Sequence, residues 1–558
     1  MPSPINTALL KLSRRADAVV DQEMLVDTFV DVGPLLTLMS SEDHQVLFGR
    51  RGTGKTHALT YLGVKAEEVG DVAALIDLRT IGSTGGLYGD SNIPLTERGT
   101  RLLADVLAQL HEALLNFAYD HSEDRDMTKA WDLLDELADA ITEVRVVGQT
   151  ETETIDELKS EDRSAASAGA AVDKAGPSIK IAGEAATTRT GRRQLTTRAS
   201  GTAQHRVHFG RVSKVLQELV SALGVRRVWI LLDEWSAVPI ELQPLLADLL
   251  RRAVFPVRGV VVKIAAIEQR STFKVSLAGP DYLGIELGAD AAADLDLDDY
   301  MVFGNDPEQA KLFFRELLYR HVRAQMVEEN LTPPESADAF QAAAFTQRNA
   351  IDEFVRAAEG VPRDAINIVR IAAQRAGDDP ISVEHVRTAA RRWYLTDKER
   401  AVAANEDAAG LLHWIVDIVI GARRARAFLL HQRERQNALV TELYDARVLH
   451  VIKRSVSSRD QPGERYDVYA IDFGCYVELN TTTKAPQGLF EAELDDYAGF
   501  VDVPVDDYRS IRRAILDLME FDNAERQLVI RPLAGQLELE PDPTIHESKP
   551  EADSDPER

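Results

Sequence analysis

Cysteine is nearly absent: Cys475 is the single one in 558 residues. One thiol closes no internal disulfide and builds no Cys-based zinc site, so a stapled secreted scaffold is excluded and a cytosolic, prokaryotic-type setting is expected. Long apolar runs are also missing. The best, Trp414 to Ile420, is seven residues broken by Asp417, whereas a membrane helix needs roughly 18. The first residues, Met-Pro-Ser-Pro followed by Lys11, Arg14 and Arg15, lack the apolar stretch and small-residue cleavage site of a secretory signal. Positive charge is scarce, with 64 Lys and Arg against 91 Asp and Glu, a formal net charge of -27. Such a chain does not coat nucleic acid or anionic membrane with its whole surface.

What is present reads as an ordinary globular protein, 45% apolar and 28% charged, long enough for three or four domains. Residues 1–25 read as an N-terminal helical segment. From 26 to 304, short apolar runs (Gln45–Phe48, Val72–Leu78, Val228–Leu232, Gly259–Ile267) alternate with helical patterns. Runs of this kind suit a parallel sheet covered on both faces. Residues 149–204, rich in Ala, Ser, Thr and Gly without apolar periodicity, read as a mobile insertion. A helical block spans 305–405, opening on Asn305-Asp306-Pro307 as cap and first-turn proline. Residues 406–535 open with helices and close with a hairpin. The tail 536–558 carries eight acids against two bases and reads as disordered.

Gly49-Arg50-Arg51-Gly52-Thr53-Gly54-Lys55-Thr56 satisfies G-x-x-x-x-G-K-[ST], directly after an apolar strand and opening a helix with His57 in its first turn. Glycines let backbone N–H groups turn inward around phosphate oxygens, and the helix N-terminus adds positive potential. Lys55 then reaches the β- and γ-phosphates and the Thr56 hydroxyl ligates Mg²⁺. The run Val228-Trp-Ile-Leu-Leu-Asp233-Glu234 delivers two carboxylates to the carboxyl edge of the sheet, where open α/β sheets bind ligands. Asp233 would hold the Mg²⁺ shell, and Glu234 would polarise the attacking water.

With the cradle, the Asp-Glu strand, the further strand Gly259–Ile267 and then Gly360-Val-Pro-Arg363 in this order, the chain resembles the AAA+ superfamily, and within it the ATPases of the origin recognition complex type. The resemblance covers roughly Val26 to Leu479. It implies a P-loop NTPase parallel sheet domain of α/β class, a helical lid and a C-terminal winged helix. It also implies that Arg363 is a sensor reaching the γ-phosphate from the lid. Two positions depart from the family's pattern. The first-sensor position, which usually carries a short polar residue, offers Glu268 and Gln269; an anion there repels phosphate, so either Gln269 serves or hydrolysis is slow. For the arginine finger donated between subunits, Arg270 is the best placed, with Arg251 and Arg252 behind it. The Gly-rich loop Asp77–Asp90 either faces DNA, as this neighbourhood does in the family, or merely bridges strand to helix.

One region departs from the chain's acidity: 421–465 holds ten Lys or Arg against five acids, +5 net. A helix of about Glu434–Ala446, a strand Val448–Arg454, a polar turn and a return strand Tyr466–Ile471 are how a winged helix-turn-helix reads. Such a module puts a helix in the major groove and cations on phosphates. The candidates are Arg433, Gln436, Asn437 and Thr441 on the helix, and Lys453, Arg454, Arg459 and Arg465 on or beside the wing. The sequence therefore points to a Mg²⁺-dependent ATPase whose nucleotide state controls contact with double-stranded DNA. The alternative is a nucleotide-gated signalling or assembly ATPase, for instance in defence against mobile elements, whose winged helix serves as an intramolecular clamp or docks a partner protein; a homo-oligomer fits either reading. A protein-remodelling ring fits worse, because no aromatic pore loop and no clear finger are present.

Overall fold

The computed structural model describes residues 3–13, 22–31, 33–81, 90, 92–142, 144–155, 194–205, 207–277, 281–301, 307–422, 427–457, 463–481 and 515–525. Five strands form one parallel sheet in the order Val72–Asp77, Val228–Asp233, Val260–Ala266, Gln45–Phe48, Ala292–Asp296. The second and third of these are buried along their whole length, which is why they read as unbroken apolar runs. Because all five run the same way, their carboxyl ends share one edge. Asp77 stands opposite Asp233, and Phe48 opposite Ala266. The helices Leu95–Asp120, Thr128–Thr142, Phe209–Ala222 and Gln243–Ala253 bury Leu103, Leu134, Leu216 and Leu246 in one core with the sheet.

Val144–Ile155 and Gln194–His205 pair as a 12-residue antiparallel ribbon. Both ends of the stretch expected to be unstructured are therefore strands. The signal of the first is β-branched threonine at alternate positions (Thr150, Thr152, Thr154) in place of apolar residues. Residues 156–193 lie outside the described part, as do Asn305, Asp306 and the tail 536–558.

The helical block holds Pro307–Glu328, Ala337–Ala344, Arg348–Ala358, Pro362–Ala376 and Val383–Trp393. Pro362 occupies a first turn where its missing N–H costs nothing, and Gly377 ends that helix at φ 61°. The helix Pro4–Lys11 joins this block. It buries Ala8 and Leu9, and Leu12 just past its end is buried too; Arg370 donates to the Leu12 carbonyl at 2.6 Å. The buried Asn6 amide donates to the Gly377 and Asp379 carbonyls at 2.7 and 3.0 Å, satisfying carbonyls that the end of a helix leaves open.

The chain divides into two compact units: 1–396 with 472–474, and 397–471 with 475 onward. In the second unit, helix Glu406–Val416 precedes strand Ala427–His431, a 3-10 turn Gln432–Gln436, helix Ala438–Asp445, and the strands Leu449–Ser457 and Arg465–Ile471. The three long strands are antiparallel, with Arg465–Ile471 in the middle. This is the winged-helix order. The helix expected over Glu434–Ala446 is split by Asn437, which caps a shorter one. Among the described residues no helix is long and apolar enough to cross a membrane.

Asn6→Ala removes two buried hydrogen bonds and is expected to lower stability by about 1–2 kcal/mol, read as faster hydrogen exchange across residues 4–11 than across the sheet strands.

Candidate nucleotide-binding site

The strand Gln45–Phe48 ends at the sheet edge and the chain turns through Gly49–Gly54 into the helix Lys55–Glu68. Gly52 and Gly54 have φ of 91° and 95°, a left-handed backbone open at low cost only to glycine. Gly52 has a second reason. A Cβ there would lie 2.8 Å from Arg363 Cβ and 3.3 Å from Val361 Cγ1, because the helical block is pressed onto the loop. Arg363 N donates to the Gly52 carbonyl at 3.2 Å.

Lys55 is buried, and its ammonium donates to the Gly49 and Arg50 carbonyls, both at 2.8 Å. Burial pushes its pKa down, while Asp298, Glu234 and Asp233 pull it up. Thr53 Oγ1 donates to the Arg50 carbonyl at 2.9 Å. The Thr56 hydroxyl donates to Asp233 Oδ2 at 2.6 Å, and the Glu234 N–H to Asp233 Oδ1 at 2.8 Å. Burial raises the Asp233 pKa against these two bonds. The hydroxyl and carboxylate assigned to Mg²⁺ are thus already neighbours. Among the described residues no group of three or more His, Cys, Asp or Glu could hold a metal. Glu234 has φ 55°, a strained backbone for a non-glycine residue at a strand end.

Arg50 behaves differently from a phosphate ligand. Its buried guanidinium donates to Asp298 Oδ1 at 2.9 Å and to the Glu359 carbonyl at 3.1 Å, while its N–H donates to Asp298 Oδ2 at 3.0 Å. Both the guanidinium and the N–H of Arg50 are thus committed within the protein. Arg51 is exposed and lines an open cavity with Gly52, Gly54, Lys55, Thr56, His57, Glu234 and Arg363. Ile267 is the residue of its strand end on this cavity; Glu268 and Gln269 continue into a 3-10 turn, half-buried. Arg270 is exposed. Arg251 and Arg252 each bond Asp248 at 2.6 Å.

Three features escaped the sequence reading. Arg79 forks onto Asp77, 2.6 Å at the closest, and stands 3.6 Å from Glu234. Its signal was its position, two residues past the end of a strand bordering the acidic one. Leu12, Met24 and Leu25, from the segment preceding the cradle, line the cavity's apolar end. His321 completes that end, its ring facing His57 at 6.5 Å.

In the second unit, Asn437 is not free to read a groove: its side-chain carbonyl accepts from Leu439 N and Val440 N at 3.0 and 3.3 Å. Arg433 is exposed beside Glu434 at 3.1 Å, Thr441 is half-buried, and Gln436 closes the 3-10 turn. Lys453 and Arg465 are exposed on the two wing strands, with Arg454 half-buried; Arg459 lies outside the described residues. Two basic residues of the island are committed internally, Arg435 as a fork on buried Asp467 at 2.9 and 3.0 Å and Arg447 on Asp397.

Burial, reinforced by His57, pushes the His321 pKa from 6.5 to about 4. The neutral ring is favoured in the fold, so the stability it contributes is complete above pH 6.5 and is lost as pH falls toward 4. The loss reaches roughly 3 kcal/mol. Thermal unfolding between pH 7.5 and 4.5 is expected to lose this component in His321→Leu.

No protein-family model matches the chain, and no curated protein matches it. Among solved structures, the Aeropyrum pernix ORC1 protein in complex with DNA is similar at 13% identity and a TM-score of 0.29, over 88% of this chain and 98% of that one; a likeness so slight carries no argument about this chain.

Proposed function

We propose that the first unit binds and slowly hydrolyses Mg²⁺-ATP, and that nucleotide state controls duplex DNA binding by the winged helix of the second, as in an AAA+ switch of initiator type. The observation carrying this reading is the glycine loop on a helix N-terminus, with the Thr56 hydroxyl 2.6 Å from Asp233 and Lys55 folded onto the loop's own carbonyls. Phosphate oxygens take the place of those carbonyls as acceptors for the ammonium. Thr56 and Asp233 would hold Mg²⁺, which when bound screens the phosphate charge. Arg363, at the start of its helix, grips the phosphates from the side opposite Lys55, making the block 305–405 a lid. Glu234 takes the proton of the attacking water. Arg79 holds that carboxylate in an ion pair, so its release sets how readily Glu234 acts. The lid's grip loosens when the γ-phosphate leaves, and the chain runs from this block directly into the second unit.

The internal pairing of Arg435 and Arg447 and the capping role of Asn437 favour a second reading, in which the winged helix docks a protein. Full-length protein decides between them. Glu234→Gln is expected to retain ATP binding and lose hydrolysis by about 100-fold or more, and Lys55→Ala to lose binding. Duplex affinity is expected to differ between ATP and ADP and to fall with salt, with a shallower slope in Arg465→Ala. Hydrolysis surviving Glu234→Gln overturns the catalytic assignment. Duplex binding absent at low salt leaves the docking reading.

A further inference from the structure

The apolar end of the cavity carries two imidazoles whose hydrogen positions are fixed by their neighbours. His57 comes from the first turn of the cradle helix and His321 from Pro307–Glu328; the rings meet edge to face, 6.5 Å between centroids, and both line the cavity. A backbone carbonyl can only accept, so the ring nitrogen beside it must carry the hydrogen. His57 Nε2 therefore donates to the Leu25 carbonyl at 2.6 Å, and His321 Nδ1 to the Leu317 carbonyl at 2.8 Å. In a neutral imidazole the other nitrogen is then an acceptor. At pH 7.5 an imidazole is ordinarily neutral, and burial reinforces this for His321, pushing it to about 4. The pair thus offers two lone pairs, His57 Nδ1 and His321 Nε2, and no donor of its own. Around them Leu12, Met24, Leu25 and Ile366 supply apolar walls, the lining a flat heterocycle needs.

We propose that His57 and His321 set the base selectivity of this site, accepting from the 6-amino group of adenine and repelling the 6-oxo group of guanine. This rests on the nucleotide reading above and adds which side-chain atoms read the purine and discriminate against guanine. With the phosphates held in the cradle, the two purines present the 6-position to the same place. There an amino group satisfies the ring acceptors, while an oxo group leaves buried lone pairs facing one another, a difference of about 10- to 100-fold in affinity. His321 is the better ring to alter. Its hydrogen bond stays within its own helix, whereas His57 ties the cradle helix to the segment that carries Leu25.

The test is equilibrium competition of ATP, GTP and purine riboside triphosphate, which has hydrogen at the 6-position, against a fluorescent ATP analogue on the full chain with Mg²⁺ at pH 7.5. Wild type is expected to favour ATP over GTP by about 10- to 100-fold, with the purine analogue between them. His321→Leu is expected to narrow all three to within about threefold while still binding them. Equal binding of ATP and GTP by wild type overturns the proposal without disturbing the cradle, as does discrimination unchanged in a folded His321→Leu. Binding of none of the three overturns the nucleotide reading and this proposal with it. The wild-type series is decisive alone should the variant fail to fold.

Discussion

The buried guanidinium of Arg50 ties together three parts of the first unit that are far apart in sequence. It belongs to the glycine loop, its main carboxylate partner Asp298 follows the last strand of the sheet, and its carbonyl partner Glu359 stands three residues before Pro362. A charge removed from water this far is tolerated only when its hydrogens are nearly all used. The planar five-donor fork of arginine meets that demand where the single ammonium of lysine does not. With Arg50 in place, the helical block lies against the loop closely enough that Gly52 has no room for a Cβ. Lys55 then reaches the cavity from the sheet side and Arg363 from the helical side, as parts of one packed arrangement and not as two surface cations that meet by chance.

Charge is distributed in the same economical way. The chain is strongly acidic overall, yet the cavity beside the glycine loop collects Arg51, Lys55, Arg79 and Arg363 around Glu234. A cleft of one sign with low-dielectric walls focuses its field on an anionic ligand, and acidic surface beyond the screening length does little to oppose it. The second unit shows the opposite adjustment. Its basic island looks uniform in sequence, but Arg435 and Arg447 are spent on Asp467 and Asp397, leaving Arg433, Lys453 and Arg465 exposed. Among the described residues, the cationic surface of that unit is narrower than its composition.

Local grammar was legible. The Gly49–Thr56 loop, the strand ending in Asp233, Pro362 in a first turn and the stop at Gly377 each depend on a few neighbouring residues and were readable one by one. What was hidden depends on partners brought in by the fold. Arg50 stands inside the phosphate motif and so looked like a phosphate ligand, while its true partner lies 248 residues away. Arg79 acquires meaning only when the sheet sets Asp77 opposite Asp233. The docking of Pro4–Lys11 rests on Asn6 reaching carbonyls more than 370 residues on. The polar ribbon escaped because its strands lack the apolar periodicity by which strands are read. Asn437 was misread for a subtler reason: the residue types that read base edges also cap helices, and here the cap took it.

The role assigned to Arg50 is tested most directly by the affinity of full-length Arg50→Lys for Mg²⁺-ATP and Mg²⁺-ADP. Lysine keeps the charge but loses the fork, so Asp298 retains a partner while the Glu359 carbonyl and the register of the lid are released. The expected result is a loss of ATP affinity of about tenfold or more, with ADP affected less, because the role proposed for Arg363 is on the γ-phosphate. A folded Arg50→Lys that binds both nucleotides as tightly as wild type would contradict the claim that this buried fork sets the grip on the nucleotide.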